Sequence, residues 1–190
     1  MLRIDNTTGL IREAAYHASP NCDERPDDCA PELLIVHSIS LPPGEYGGPH
    51  IIDFFQNRLA VDAHPYFEEI QALRVSAHVL IGRNGELVQF VPLHWRAWHA
   101  GESQFDGRTR CNDFSIGIEL EGTDHTPFRT IQYWKLALLV DAIRHAYPSM
   151  HQCPVVGHSD VAPGRKTDPG VEFEWSRLQR LLNTLGGHAL

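Results

Sequence analysis

Residues 33–39, LLIVHSI, form a nearly continuous run of apolar side chains that includes several β-branched residues. A short run of this kind predicts a β-strand that is buried on both faces. The polar residue His37 interrupts the run near its end. A second stretch, FSIGIELEG at residues 114–122, alternates between apolar and polar residues and predicts a strand whose apolar face packs inward.

The segments around these two strands predict further elements. Residues 75–92 contain two β-rich runs around Arg83-Asn84-Gly85, and the Asn-Gly pair favours a hairpin with a type I′ turn. Residues 130–146 carry the broad apolar stripe of a helix, which Pro148 follows. The other predicted elements are short helices at 51–59 and 66–72, a short strand at 154–156 and a final helix at 174–185.

Strands that alternate with helices predict an α/β fold, with a mixed β-sheet and helices packed on its faces. We expect a single domain over residues 1–190, with residues 1–31 as an extended N-terminal lead-in packed on it. The composition agrees, because 42% hydrophobic and 21% charged residues are close to the average of globular proteins. A chain of 190 residues also buries a core without needing disulfide bonds.

Charge and cysteine content exclude several classes of protein. The 24 acidic and 16 basic residues give a net charge of −8, which disfavours binding to nucleic acid or to anionic membrane surfaces. The four cysteines form no C-x-x-C pair, so reduced thiols are expected. The N-terminal residues lack the apolar core of a signal peptide, and no apolar run is long enough to span a membrane. These features predict a cytoplasmic location.

The chain contains 12 histidines, and three of them lie at predicted strands in apolar surroundings: His37, His78 and His158. Each one alone is best explained as a hydrogen-bonded structural residue. His158, however, opens a loop that also contains Lys166 and Asp168. Two histidines and a carboxylate make a plausible zinc site, and three protein ligands leave a fourth position for water, as in catalytic zinc sites.

Several longer blocks of the chain carry a resemblance to a known family. The blocks are IVHSISLPPGEYGGP, AHPYF, RVSAHVLIGRNGE, RAWHAG, CNDFSIGIELEGTD and GHSDVAPGRKTDPG. Together they resemble the AmpD family, the cytoplasmic zinc amidases that cleave anhydro-N-acetylmuramyl-L-alanine peptides. The resemblance extends from about residue 22 to about residue 175, and it implies the fold shared by N-acetylmuramoyl-L-alanine amidases and peptidoglycan-recognition proteins.

The resemblance implies roles for five residues. His37, His158 and Asp168 would bind one Zn²⁺ ion. Glu119 would be the catalytic carboxylate, and Lys166 the cation beside the reacting carbonyl. General chemistry supports both roles, because a carboxylate can move a proton from water to the departing amine and a cation can stabilise an oxyanion.

Spacing alone does not separate Glu119 from Glu121, because residues two apart share a strand face. The resemblance selects Glu119 and leaves Glu121 as a charge at the strand end. His78 and His99 match family positions that are not metal ligands. This favours a structural role, or a role in contact with the ligands, over a catalytic one. Surface or turn positions are expected for seven other histidines: His50, His64, His94, His125, His145, His151 and His188.

Four residues are predicted to contact substrate. Trp98 could stack on a sugar ring, and Arg74 and Arg110 could hold peptide carboxylates by bidentate pairing. The alternative places Trp98 in the core and both arginines in solvent. Ser38 stands where the family has an asparagine after the first zinc-binding histidine. This chain departs from the family at that position, and the shorter side chain of Ser38 is predicted to contact substrate in place of the asparagine.

The predicted function is hydrolysis of the amide between the lactyl group of muramic acid and L-alanine. The predicted substrate is a small anhydromuramyl peptide released during cell-wall recycling, with no obligate protein partner. The resemblance also suggests that this recycling feeds a regulator of β-lactamase expression, so that loss of the enzyme would alter the output of that regulator.

Three alternatives stay open at this stage. An exported amidase acting on intact murein would need a signal for export. A non-catalytic peptidoglycan-binding module would typically lack a zinc ligand. A serine or cysteine hydrolase would need a nucleophile motif such as G-x-S-x-G, which the sequence lacks.

Overall fold

The two stretches that indicate strands lie side by side at the centre of one sheet. The computed structural model describes residues 2–186. In it, residues 33–39 and 115–121 pair in parallel from Leu33 opposite Ser115 to Ile39 opposite Glu121. This register places Glu119 directly beside His37.

Strands and helices follow one another along the described chain. The strands are β1 (Ile4–Asp5), β2 (Leu10–Ile11), β3 (Ala15–Tyr16), β4 (Cys22–Asp23), β5 (Leu33–Ile39), β6 (Val79–Ile81), β7 (Leu87–Gln89), β8 (Arg96–Ala97), β9 (Gln104–Phe105), β10 (Arg108–Thr109), β11 (Ser115–Glu121) and β12 (Val155–Gly157). The α-helices are α1 (His50–Phe55), α2 (Pro65–Ile70), α3 (Thr130–Ala146), α4 (His158–Val161) and α5 (Trp175–Gly186).

The central sheet has six strands in the order β12-β5-β11-β6-β7-β3. The first four of these are parallel, β7 is antiparallel to β6, and β3 is parallel to β7 at the edge. The fold is therefore the predicted mixed α/β sheet with helices packed against it. The carboxyl ends of parallel strands meet at one edge, where open α/β sheets bind their ligands. His37 and Glu119 lie near that edge, and His158 follows β12 directly.

Strand β11 is buried on both of its faces. Its apolar face packs inward as expected, with Ile116 and Ile118 in the core cluster that also contains Leu136 of helix α3. The polar face is covered as well, because Ser115 contacts the ring of His99. A strand that appears half-polar in sequence is thus fully enclosed, and two of its polar residues, Ser115 and Glu119, lie beside His99 and His37.

The hairpin is present, but the predicted type I′ turn is wrong. The connection is a turn closed by a hydrogen bond from the Gly85 amide to the Gly82 carbonyl at 2.9 Å, and in it only Gly85 has a positive φ, of 83°. A type I′ turn needs positive φ at both central residues, which here are Arg83 and Asn84. Asn84 instead uses its side-chain oxygen to accept from the Glu86 amide at 3.0 Å.

Most predicted helices and strands are confirmed, with shifted ends. Helix α3 has the predicted bounds, and α5 begins one residue later than expected. Helix α1 ends at Phe55, earlier than expected, and Asn57 just beyond it takes a left-handed conformation with φ of 57°. Helix α4, immediately after β12, was not predicted.

The N-terminal segment is tied to the domain by short strands. Strand β3 joins the edge of the central sheet beside β7, and β4 pairs with β8. His188, for which a surface position was predicted, lies outside the described residues. Among residues 2–186, no helix has both the length and the apolar character needed to cross a membrane.

Candidate metal centre and active site

A cavity of about 670 Å³ opens at the carboxyl edge of the sheet. Its lining includes apolar residues, among them Phe54 and Phe55 of α1 and Ile70 of α2. It also includes His37, Glu119, His158, Lys166 and Asp168. The structure therefore brings the five residues of the predicted catalytic centre to one place.

Three potential ligand atoms converge among the residues that line the cavity. The Nδ1 atoms of His37 and His158 are 3.0 Å apart, and Oδ2 of Asp168 lies 3.2 Å from the first and 3.1 Å from the second. Ligands in a tetrahedral site with bonds of 2.0–2.1 Å are roughly 3.3 Å apart. The three atoms are thus spaced as a small metal ion requires, and no other such group of three or more His, Cys, Asp or Glu residues is present among residues 2–186.

The two histidines are buried and turn Nδ1 toward each other. His37 is 2% exposed and His158 is 3% exposed. Burial lowers the pKa of His37 to about 4, so that its ring is neutral at pH 7. Nε2 of His158 lies 3.2 Å from the carbonyl oxygen of Ala100, which can only accept, so a proton lies on Nε2. Nδ1 of His158 faces Nδ1 of His37 and Oδ2 of Asp168, an arrangement that a cation would stabilise.

Glu119 lies beside these residues with one oxygen free. Its side chain is buried, and Oε2 has no hydrogen-bond partner among the described residues. Burial raises the pKa of Glu119 well above its ordinary value, and the charge of Asp168 raises it further, while Lys166 opposes both. A carboxyl group with a raised pKa and a free oxygen in a cavity is suited to accept and return a proton.

Lys166 is held by the loop that follows α4. Its backbone amide donates to the carbonyl of Ala162 at 3.0 Å, so the lysine lies on a tight turn two residues before Asp168. The side chain lines the cavity. One short loop therefore supplies both a potential metal ligand and a cation.

Glu121 is engaged elsewhere, although it shares a strand face with Glu119. Its Oε1 accepts from the Gly47 amide at 2.5 Å, and its Oε2 accepts from the Arg83 amide at 2.9 Å. Both oxygens thus hold loop backbone in place. Glu119 and Glu121 therefore differ in their hydrogen bonds, a difference that spacing in the sequence does not show.

Of the four predicted substrate contacts, only Ser38 lines the cavity. Its hydroxyl donates to Oδ1 of Asp124 at 3.1 Å. Trp98 donates its indole N–H to Asp23 at 3.0 Å, and the exposed side chain of Arg74 donates to the carbonyls at the end of its own turn. Arg110 is 71% exposed and pairs with Asp113. These three side chains lie outside the cavity, and their contacts with substrate stay predictions.

Asp124 is a site residue that sequence reasoning missed. It accepts from Ser38, which follows His37, and from the hydroxyl of Thr167, which precedes Asp168. It thereby links the segments that carry two of the potential ligands. Its place just beyond β11, at the same sheet edge as β5, was the signal that could have identified it.

Comparisons with known proteins show the family to which this chain belongs. The family described as N-acetylmuramoyl-L-alanine amidase matches residues 27–171. The 1,6-anhydro-N-acetylmuramyl-L-alanine amidase AmpD of Escherichia coli K12 is 56% identical over 92% of this chain and 95% of its own length. A crystal structure of a selenomethionine derivative of AmpD superposes with a TM-score of 0.90 at 52% identity, covering 94% of this chain and 98% of the other.

A more distant neighbour has been solved with a ligand. The complex of the N-acetylmuramyl-L-alanine amidase AmiD from E. coli with the substrate anhydro-N-acetylmuramic acid-L-Ala-D-gamma-Glu-L-Lys superposes with a TM-score of 0.57 at 30% identity. The match covers 95% of this chain and 65% of that one.

Proposed function

Because this chain belongs to the N-acetylmuramoyl-L-alanine amidase family, we propose that it hydrolyses the amide between the lactyl group of anhydro-N-acetylmuramic acid and L-alanine. The observation that carries the proposal is the convergence of three ligand atoms beside a carboxylate with a free oxygen, all in one cavity. Hydrolysis of an unactivated amide needs an activated water, a proton carrier and a stabilised oxyanion, and the cavity offers a group for each.

We assign the ion as a single zinc held by His37, His158 and Asp168. Two imidazole nitrogens and one carboxylate oxygen are ligands that zinc prefers, and three protein ligands are typical of catalytic zinc sites. When bound, zinc lowers the pKa of a coordinated water and polarises a carbonyl.

Glu119 acts as the proton carrier. It lies beside His37 on the neighbouring strand, and burial raises the pKa of its carboxyl group. A raised pKa suits a carboxyl group that both accepts and donates a proton near neutral pH. It accepts a proton from the attacking water and delivers it to the nitrogen of the departing L-alanine. The C–N bond breaks as that nitrogen becomes an amine, which leaves a carboxylate on the lactyl group.

Lys166 stabilises the developing charge on the carbonyl oxygen. A fixed cation in a partly enclosed cavity interacts more strongly with an oxyanion than it would in water. Its loop also carries Asp168, so the cation and a metal ligand keep a constant relation to each other.

The substrate we propose is a soluble anhydromuramyl peptide encountered in the cytoplasm. E. coli AmiD has been solved with a ligand of this class. A net charge of −8 disfavours adsorption to an anionic polymer and so favours small fragments. A peptide that extends beyond the cavity could bring its carboxylates to Arg74 and Arg110, which lie on the surface outside the cavity.

The test is product analysis with two substrates. Zinc-loaded protein is incubated with anhydro-N-acetylmuramyl-L-Ala-D-Glu-diaminopimelate and, separately, with intact murein, and the products are identified by mass spectrometry. Free tripeptide and intact anhydro sugar from the first, with little release from the second, are expected. His37→Ala is the matched inactive control. Faster release from murein would favour a wall-degrading amidase, and an uncleaved first substrate would contradict the proposal.

A further inference from the structure

The two histidines of the metal centre are supported from behind by two consecutive residues. Nε2 of His158 lies 3.2 Å from the carbonyl oxygen of Ala100, and Nε2 of His37 lies 2.9 Å from Nδ1 of His99. Each imidazole thus turns Nε2 toward residues 99–100 and Nδ1 toward the cavity. The support for His37 is another histidine. Which of the two rings donates the hydrogen bond therefore depends on which nitrogen carries the proton in each ring.

A chain of hydrogen bonds assigns those protons. The hydroxyl of Ser115 donates to the carbonyl of Cys111 at 2.6 Å, so its oxygen is left to accept from Nε2 of His99 at 3.2 Å. The proton of His99 therefore lies on Nε2, and its Nδ1 is an acceptor. Nε2–H of His37 then donates to Nδ1 of His99, and the Nδ1 lone pair of His37 is free for a metal.

The two nitrogens of His99 thus have different partners. Nε2 lies 3.2 Å from the hydroxyl oxygen of Ser115, and Nδ1 lies 2.9 Å from Nε2 of His37. A doubly protonated His99 would have no acceptor to offer to His37. The neutral ring is the form in which one nitrogen donates and the other accepts.

The backbone of residues 99–100 is itself fixed. Oδ1 of Asn112 accepts from the amide of His99 at 3.1 Å and from the amide of Ala100 at 2.8 Å. Arg165 donates to the same Ala100 carbonyl. On the opposite side, a Cβ at Gly117 would lie 2.5 Å from the His99 ring, so glycine at that position of β11 leaves room for the imidazole.

We infer that His99 is a positioning residue for the metal centre: with the Ala100 carbonyl it forms a brace that fixes both ligand imidazoles with Nδ1 toward the ion. Groups that accept the second ring proton of a metal-bound histidine fix its tautomer and orientation and raise its basicity. The brace rests on the metal site of the proposed function, but it makes its own prediction about metal affinity.

The test compares His99→Leu with His99→Asn. Leucine removes the acceptor, whereas the Oδ1 atom of asparagine lies near the position of Nδ1 and can still accept from His37. We expect the zinc dissociation constant of His99→Leu, measured against a competing chelator, to rise about 10- to 100-fold, with an altered absorption spectrum of the cobalt form. His99→Asn should recover most of the affinity and the wild-type spectrum.

Two results would overturn the brace. Wild-type affinity and spectrum in His99→Leu would show that no acceptor is needed, and equal losses in both variants would show that the ring acts by packing alone. If His99→Leu does not fold, Ser115→Ala decides, since it removes the acceptor that keeps the His99 proton on Nε2. A severalfold weaker zinc affinity is expected there, and an unchanged affinity and cobalt spectrum would contradict the inference. Failure of the wild-type protein to bind zinc would instead count against the proposed function.

Discussion

Glu119 and Glu121 point from the same face of one strand into different surroundings. Glu119 lines the cavity and its Oε2 has no hydrogen-bond partner among the described residues, while both oxygens of Glu121 accept backbone N–H groups from two loops. Glu119 thus has an oxygen available for proton transfer, whereas both oxygens of Glu121 are occupied. The difference lies in what covers each one, and the identity of the strand residues does not reveal it.

Replacing each glutamate by glutamine gives contrasting expectations. Glu119→Gln should retain zinc and lose kcat by about 10²- to 10⁴-fold, because the proton carrier is removed. Glu121→Gln should keep most of kcat and raise KM, since one of its two acceptors becomes a donor and loosens the loop containing Gly47. Steady-state kinetics with parallel zinc analysis distinguishes them. A fully active Glu119→Gln beside an inactive Glu121→Gln would reverse the assignment.

The loop after α4 is the element that most directly determines the metal centre. It carries Lys166 and Asp168, and it is closed by Gly170, whose φ is 87° and whose added Cβ would lie 2.1 Å from Cα of Asp124. Gly164, in the same loop, has a φ of 77° but open space where a Cβ would be. The loop therefore contains two glycines with similar left-handed φ values and different packing.

This pair provides a matched test of the loop. Gly164→Ala should cost about 1–2 kcal/mol of unfolding free energy from left-handed backbone strain, with zinc affinity preserved. Gly170→Ala should cost more and should also weaken zinc binding, because the clash with Asp124 displaces the loop that carries Asp168. Chemical denaturation and chelator competition measure the two effects. Equal zinc affinity in both variants would contradict a role for the Gly170 contact.

Some elements of the fold could be predicted from the sequence and others could not. Strand β5 and helix α3 were predictable because apolar periodicity dominates both. The hairpin turn was not, because the side chain of Asn84 bonds locally and leaves Gly85 alone with positive φ. The metal ligands came from a family resemblance, and the role of Asn112 in holding residues 99–100 depends on a contact between loops that no local pattern encodes.

Across the whole molecule, buried histidines make stability depend on pH. Burial lowers the pKa of His37 to about 4 and that of His78 to about 3, whereas an unfolded histidine has a pKa of about 6.5. Below pH 6.5 the unfolded chain therefore binds protons that the folded chain excludes. The free energy of unfolding should fall as pH decreases from about 6.5 toward 4 and should be insensitive to these groups above that window.

Urea denaturation of the metal-free protein at a series of pH values measures this slope. His78→Asn keeps an acceptor for the Gly117 amide, which His78 now binds at 3.0 Å, but removes the titrating ring. Its unfolding free energy should decrease less steeply between pH 6.5 and 4 than that of the wild type. An identical slope in the two proteins would mean that His78 does not titrate on unfolding as its burial requires.

The reaction itself is tested most directly by the bond that breaks. Zinc-loaded protein is incubated with an anhydromuramyl tripeptide in water enriched in oxygen-18, and the products are separated and weighed by mass spectrometry. Amide hydrolysis at the lactyl group predicts a single heavy oxygen in the carboxylate of the anhydro sugar and an unlabelled peptide with a free L-alanine amine. A heavy oxygen in the peptide, or an intact substrate with zinc bound, would contradict the account.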